Sequence, residues 1–140
     1  MSILQGVASF YSAEIFMALE YLHEHHIIYR DIKPENIMLD KEGHARLIDF
    51  GLTKVGVSEN PAHFTRTLCG TNSYMAPEVI KKELYGPAAD WWSFGVLGYD
   101  MLAGYPPFKG DSKHEVYQQI LNDTLSLPPR IDLVSRKFIR

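Results

Sequence analysis

Tyr29-Arg30-Asp31-Ile32-Lys33-Pro34-Glu35-Asn36-Ile37-Met38-Leu39, "YRDIKPENIML", places acids, bases and an amide between two apolar flanks. A carboxylate such as Asp31 at a strand-to-loop junction suits acceptance of a proton from a substrate hydroxyl. Lys33, two residues on, suits neutralisation of a transferring phosphate, and Asn36 offers a neutral oxygen to a hard cation. The flanks explain how such groups are held. "IIY" before the cluster and "NIMLD" and "HARLID" after it predict short strands, and Lys41 to Gly43 ("KEG") predicts the turn between the last two.

Asp49 follows at the end of the third strand, in "DFG". Its carboxylate and the Asn36 amide oxygen suit Mg²⁺, which takes few protein oxygens and completes its shell with phosphates and water. The set supplies the positioning and charge neutralisation that phosphoryl transfer needs.

Outward from this cluster the chain reads as helices. Ile15, Ala18, Leu19 and Leu22 line one face of a helix expected from Ser9 to about Glu24. Residues 51 to 73 carry Gly51, Gly56, Pro61 and Gly70 with no sustained period, and a loop of that length is often functional. "APEVIKK" predicts a short helix. "PAADWWSFGVLGYDMLAG" predicts a central buried helix, apolar nearly all round, with Pro87 near its start and Gly104 near its end. Ser112 and Glu115 form an S-x-x-E capping signal before Val116, Ile120 and Leu121. "DLVSRKFIR" predicts a last helix.

The 140 residues fit one domain or one lobe of a larger one. With 46% hydrophobic and 22% charged residues the composition is globular. A net charge of −3 argues against a general nucleic-acid or membrane-surface binder. The single cysteine, Cys69, excludes an internal disulfide framework and suits a reducing compartment. No apolar run approaches the ~20 residues of a spanning helix. "MSILQGV" lacks a secretory pattern, so cytoplasm and/or nucleus is the expected location. The histidines of "HEHH" have no partner at metal-ligand spacing.

"YRDIKPEN", "DFG" and "APE", in that order, resemble the signature set of eukaryotic protein kinases. The resemblance is to the large, C-terminal lobe and runs from about Ser9 to the end, with residues 1–8 outside it. It implies a partial protein-kinase-like fold, mainly α with a small β-hairpin region. It implies Asp31 as the catalytic aspartate, Lys33 as the lysine that contacts the γ-phosphate of ATP, and Asn36 and Asp49 as Mg²⁺ ligands. ATP would also lie against Glu35 and against Met38, the residue under adenine. Tyr29 stands where the family usually has His, with Phe50 packed beneath it and Gly51 closing "DFG". Lys-Pro-Glu-Asn is similar to serine/threonine kinases rather than tyrosine kinases.

"YRD", "TLCGT" and "ADWWSFGVLGYDMLAGYPPF" look like the basophilic AGC group, and "PENIMLD", "GH" and "SYMAPE" look most like the kinases of ribosomal protein S-six. That likeness implies activation by an upstream kinase at Thr67, whose phosphate would meet Arg30 and Lys54. It implies that Glu35 and Asp100 read arginine in protein substrates, and that Leu68 and Thr71 help floor the peptide site. Asp90 would hold the catalytic loop's N–H groups, and Glu78 of "APE" would be structural. No two glycines stand two residues apart, so a Gly-rich phosphate loop is not expected within this chain. Two function classes therefore stand: a serine/threonine protein kinase, or a truncated lobe that binds or competes without catalysis. On the second reading the chain lacks the small lobe and stops before the arginine that pairs with Glu78.

Overall fold

The computed structural model describes residues 3–139; Met1, Ser2 and Arg140, at the ends of "MSILQGV" and "DLVSRKFIR", lie outside the described residues. Its helices are α1 (Ile3–Glu24), α2 (Pro77–Ile80), α3 (Ala88–Ala103), α4 (Lys113–Asn122) and α5 (Leu133–Ile139). Its strands are β1 (Ile27–Ile28), β2 (Ile37–Leu39), β3 (Ala45–Leu47) and β4 (Lys54–Val55). No helix among the described residues is long and apolar enough to cross a membrane.

Helix α1 follows its apolar stripe: Ile15 and Leu19 are buried, and Leu22 packs against the same cluster. It begins at Ile3, earlier than the Ser9 expected, because the stripe continues backwards. Ala8, seven residues before Ile15, is buried against Leu102 of α3 and Ile131.

Helix α3 is the central post. Ten of its sixteen residues are buried. Phe94, Val96 and Leu97 meet Ile15 and Leu19 of α1 and Tyr29 and Ile32 of the stretch 29–39 in one core. The helix stops where Gly104 takes φ 79°, a left-handed cap that glycine adopts without strain. A second core joins Ile28, Val57, Met75, Val79, Tyr85 and Ala89, tying β1 and α2 to the foot of α3.

Strands β2 and β3 form the expected antiparallel hairpin, with Ile37 opposite Leu47 and Leu39 opposite Ala45. Within residues 51–73 the structure adds what no local pattern announced. Strand β4 pairs antiparallel with the distant β1, Pro61–His63 and Asn72–Tyr74 form single 3₁₀ turns, and Thr65 bridges Tyr85. Two-residue strands carry no detectable period, so only the partner chain segment defines them.

At α4 the capping signal divides. The Ser112 hydroxyl accepts from the Glu115 N–H at 3.2 Å, but Glu115 takes the N–H of Asp111, at 2.8 Å, in place of that of Ser112.

Candidate active site

The stretch 29–39 leaves β1, passes the start of α3 and enters the β2–β3 hairpin, so paired strands fix both of its ends. Asp90, in the first turn of α3, fixes its first two residues. One carboxylate oxygen accepts from the Arg30 N–H and the other from the Tyr29 N–H, each at 2.8 Å. His23 Nε2, at the end of α1, also lies 2.8 Å from Asp90. Asp90 is 1% exposed, so three donors converge on a carboxylate that water does not reach. This support lets Arg30 hold φ 69°, unusual for a residue with a side chain.

Asp31 is buried, and three side chains meet around it. Thr71 Oγ1 donates to Asp31 Oδ1 at 2.9 Å. Lys33 Nζ lies 2.9 Å from Asp31 Oδ2 and 3.1 Å from Thr71 Oγ1. Asn36 Nδ2 donates both to Asp31 Oδ2, at 2.8 Å, and to the Asp31 carbonyl, at 2.9 Å. The Asn36 amide is thereby oriented: its nitrogen is spent on Asp31, and its oxygen faces away from those bonds.

Asp49 is brought to Asn36 by the hairpin. The Ile48 N–H donates to the Asn36 carbonyl at 3.0 Å, one rung beyond the β2–β3 ladder, so Asp49 follows directly. Asp49 is exposed, adopts φ 58° and accepts the Gly51 N–H at 3.0 Å. Tyr29 packs edge-on against Phe50, ring centres 5.4 Å apart, and its hydroxyl donates to the Ile48 carbonyl. Burial, together with the carboxylates of Asp31, Asp49 and Asp90, pushes the Tyr29 phenol up to about 12. Met38, on β2, is 55% exposed.

Glu35 lies exposed in the 3₁₀ turn Pro34–Asn36. Asp100, on α3, accepts the Tyr74 hydroxyl at 2.6 Å. Burial first, then the hydrogen bond to Asp100 and the negative charges of Asp100 and Glu35, raise the Tyr74 phenol far above its ordinary range. Leu68 is exposed, and Thr71 belongs to the Asp31 cluster.

Thr67 is exposed, and its carbonyl accepts the Tyr85 hydroxyl at 2.6 Å. Arg30 reaches towards it: Nε donates to the Leu52 carbonyl at 2.5 Å, and Nη1 lies 3.5 Å from the Tyr85 hydroxyl. Lys54 stands opposite Ile28 in the β1–β4 pair. Glu78 lies half-buried in α2, and among the described residues no ion pair reaches it.

Sequence reading missed His23, Tyr74 and Tyr85. Their partners lie 67, 26 and 18 residues away, and nothing local marks them.

The chain matches the family model "Protein kinase domain" over residues 1–138 and belongs to that family. It is 54% identical to cAMP-dependent protein kinase type 3 of Saccharomyces cerevisiae, over 88% of this chain and 30% of that protein. It is 48% identical to the cAMP-dependent protein kinase catalytic subunit PRKX of Homo sapiens, over 94% of this chain and 35% of the relative. Protein kinase C of Drosophila melanogaster is 48% identical, over 86% of this chain and 16% of the relative. The chain thus spans about a third or less of these relatives, which are kinases of the AGC group. Its fold is protein-kinase-like, mainly α with short strands.

Proposed function

We propose that the chain supplies the large-lobe chemistry of a serine/threonine protein kinase, moving the γ-phosphoryl of ATP to hydroxyls of proteins in basic sequence context. The observation that carries this reading is the cluster on Asp31. One of its oxygens takes Thr71, and the other takes Lys33 and Asn36. So held, the carboxylate is a fixed proton acceptor for an approaching Ser or Thr hydroxyl. As that oxygen bonds to phosphorus, the bond to the ADP oxygen breaks and the proton passes to Asp31. Lys33 neutralises charge on the moving phosphoryl group, and Thr71 keeps lysine and aspartate in register.

The donors present fit Mg²⁺: one amide oxygen, from Asn36, and one exposed carboxylate, from Asp49, with room for phosphates and water. Mg²⁺ bound there supplies charge neutralisation on the ATP phosphates. Met38 offers an open apolar surface to the purine, and Glu35 lies at the edge of the nucleotide and peptide sites. Glu35 and Asp100 together favour arginine in the substrate. An upstream kinase phosphorylates Thr67, and Arg30 and Lys54 receive the phosphate.

Within the AGC group, "PENIMLD", "GH" and "SYMAPE" favour a ribosomal protein S-six kinase type. The cytoplasm and/or nucleus is the proposed location. Because Met38 and Asp49 are open to solvent, the 140-residue chain alone binds ATP weakly and transfers phosphate negligibly. The alternative reading is a lobe that binds or competes without catalysis.

The test joins the chain to a nucleotide-binding small lobe in cis. Asp31→Asn then abolishes phosphate transfer to a Ser peptide while Mg·ATP binding, read by calorimetry, persists. Retained turnover removes Asp31 from this role. Robust Asp31-dependent phosphorylation by the chain alone removes the requirement for a second lobe.

A further inference from the structure

The segment that carries Thr67 is not held by the catalytic loop alone. It is docked on the chain that leads into α3. Thr65 and Tyr85 exchange both backbone hydrogen bonds, at 3.0 and 2.9 Å. Phe64 packs closely on the next residue: a Cβ on Gly86 would stand 2.4 Å from its ring. Tyr85 is 2% exposed, and its hydroxyl reaches back past Thr65 to donate to the Thr67 carbonyl. The same oxygen faces Arg30 Nη1 at 3.5 Å and Cys69 Sγ at 3.7 Å.

Arg30 is therefore gripped twice from one element. Asp90, in α3, holds its backbone N–H, and Tyr85, just before α3, meets its guanidinium. Nε is committed to Leu52 and Nη1 faces Tyr85, so among the described residues Nη2 alone has no protein partner. That leaves its N–H groups available to an anion.

We propose that Tyr85 is a positioning residue that couples the charge state of Thr67 to the catalytic loop, through its hydroxyl bonds to the Thr67 carbonyl and Arg30. The proposal rests on the reading of Thr67 as the phosphosite. The hydroxyl fixes the height of the Thr67 backbone and the rotation of the guanidinium with a single group. A phosphate on Thr67 then meets a preset cation rather than one it must recruit. The phenol is pushed up to about 12, by burial above all, so it stays a proton donor at physiological pH.

The test is Tyr85→Phe, which keeps the ring and its packing and removes only the hydroxyl. The chain is joined to a small lobe in cis, and kcat/KM is measured with Thr67 unphosphorylated and phosphorylated. The ratio of the two falls roughly tenfold in Y85F, the loss of about one charge-linked hydrogen bond. Trypsin cleavage after the exposed Arg66 becomes several-fold faster, a readout independent of catalysis. An unchanged ratio, or an equal loss in both phosphorylation states, makes Tyr85 a packing residue and overturns the proposal. An unchanged cleavage rate does the same for the docking of the segment. A wild type that ignores Thr67 phosphorylation overturns the phosphosite reading and the coupling together, whereas a responsive wild type beside an equally responsive Y85F overturns the coupling alone.

Discussion

The carboxylate of Asp90 accepts the N–H of Tyr29 at 2.8 Å across 61 residues of sequence. With the Arg30 N–H on its other oxygen and His23 alongside, Asp90 ties the end of α1, the catalytic loop and the start of α3 into one unit. Asp90→Ala strands two backbone donors and an imidazole, a loss of about 3 kcal/mol or more. Asp90→Asn keeps one acceptor but turns an N–H towards an N–H, and loses about 1–3 kcal/mol. Urea unfolding measures both, and a wild-type midpoint for Asp90→Ala would show that the loop is held otherwise.

Gly70 marks a close contact between its own loop and the loop that carries Arg30. Its φ is 109°, and an added Cβ would sit 2.9 Å from the Arg30 carbonyl. Gly70→Ala therefore loses about 1–3 kcal/mol of stability, because both the backbone region and the space demand glycine. Thermal melting of G70A beside the wild type reads the loss. A Tm equal to wild type refutes the close approach.

Glu14 predicts an acid-sensitive joint between α1 and the hairpin. Its two oxygens accept from the Ala45 N–H, at 2.7 Å, and pair with His44 Nδ1, at 2.5 Å. The Ala45 bond first, and then His44, hold the Glu14 carboxyl below its ordinary value of 4.5. Because the folded pKa is depressed, the stabilisation is fully present above the unfolded value and is lost as pH falls through the folded one. Wild type then loses more stability than Glu14→Gln between about pH 5 and pH 3. Urea midpoints across that range check the sign, and parallel curves would count against the joint.

Glu35 and Asp100 predict a separable specificity effect. Asp100 accepts the Tyr74 hydroxyl at 2.6 Å, Glu35 lies exposed in the turn Pro34–Asn36, and the charges of both raise the Tyr74 phenol. Glu35→Gln lowers the preference for arginine over alanine in substrate peptides roughly tenfold, the scale of one charge-assisted hydrogen bond. Asp100→Asn lowers it at a different peptide position. A peptide-library profile unmoved by either variant removes the acids from substrate reading.

Much of the site was legible because its members are close in sequence. Asp31, Lys33 and Asn36 stand within one loop, and the hairpin that follows brings Asp49 back beside Asn36 by its own short turn. The helix faces were legible for the same local reason: Ile15 and Leu19 point inwards because the helical period aligns them. The two-residue pairing of β1 with β4 and the bridge from Thr65 to Tyr85 were not, since neither segment has a pattern of its own.

The sequence by itself determined the helices, the hairpin and the order of residue types around Asp31, because period, turn chemistry and short spacing are local properties. Only the tertiary structure decided what holds that loop in place. His23 and Asp90 meet across 67 residues and Tyr85 reaches Thr67 across 18, and such contacts form only when separate elements bury their apolar faces against α3. Buried donors and acceptors must then find partners, and the packing, not the spacing, selects which ones they find.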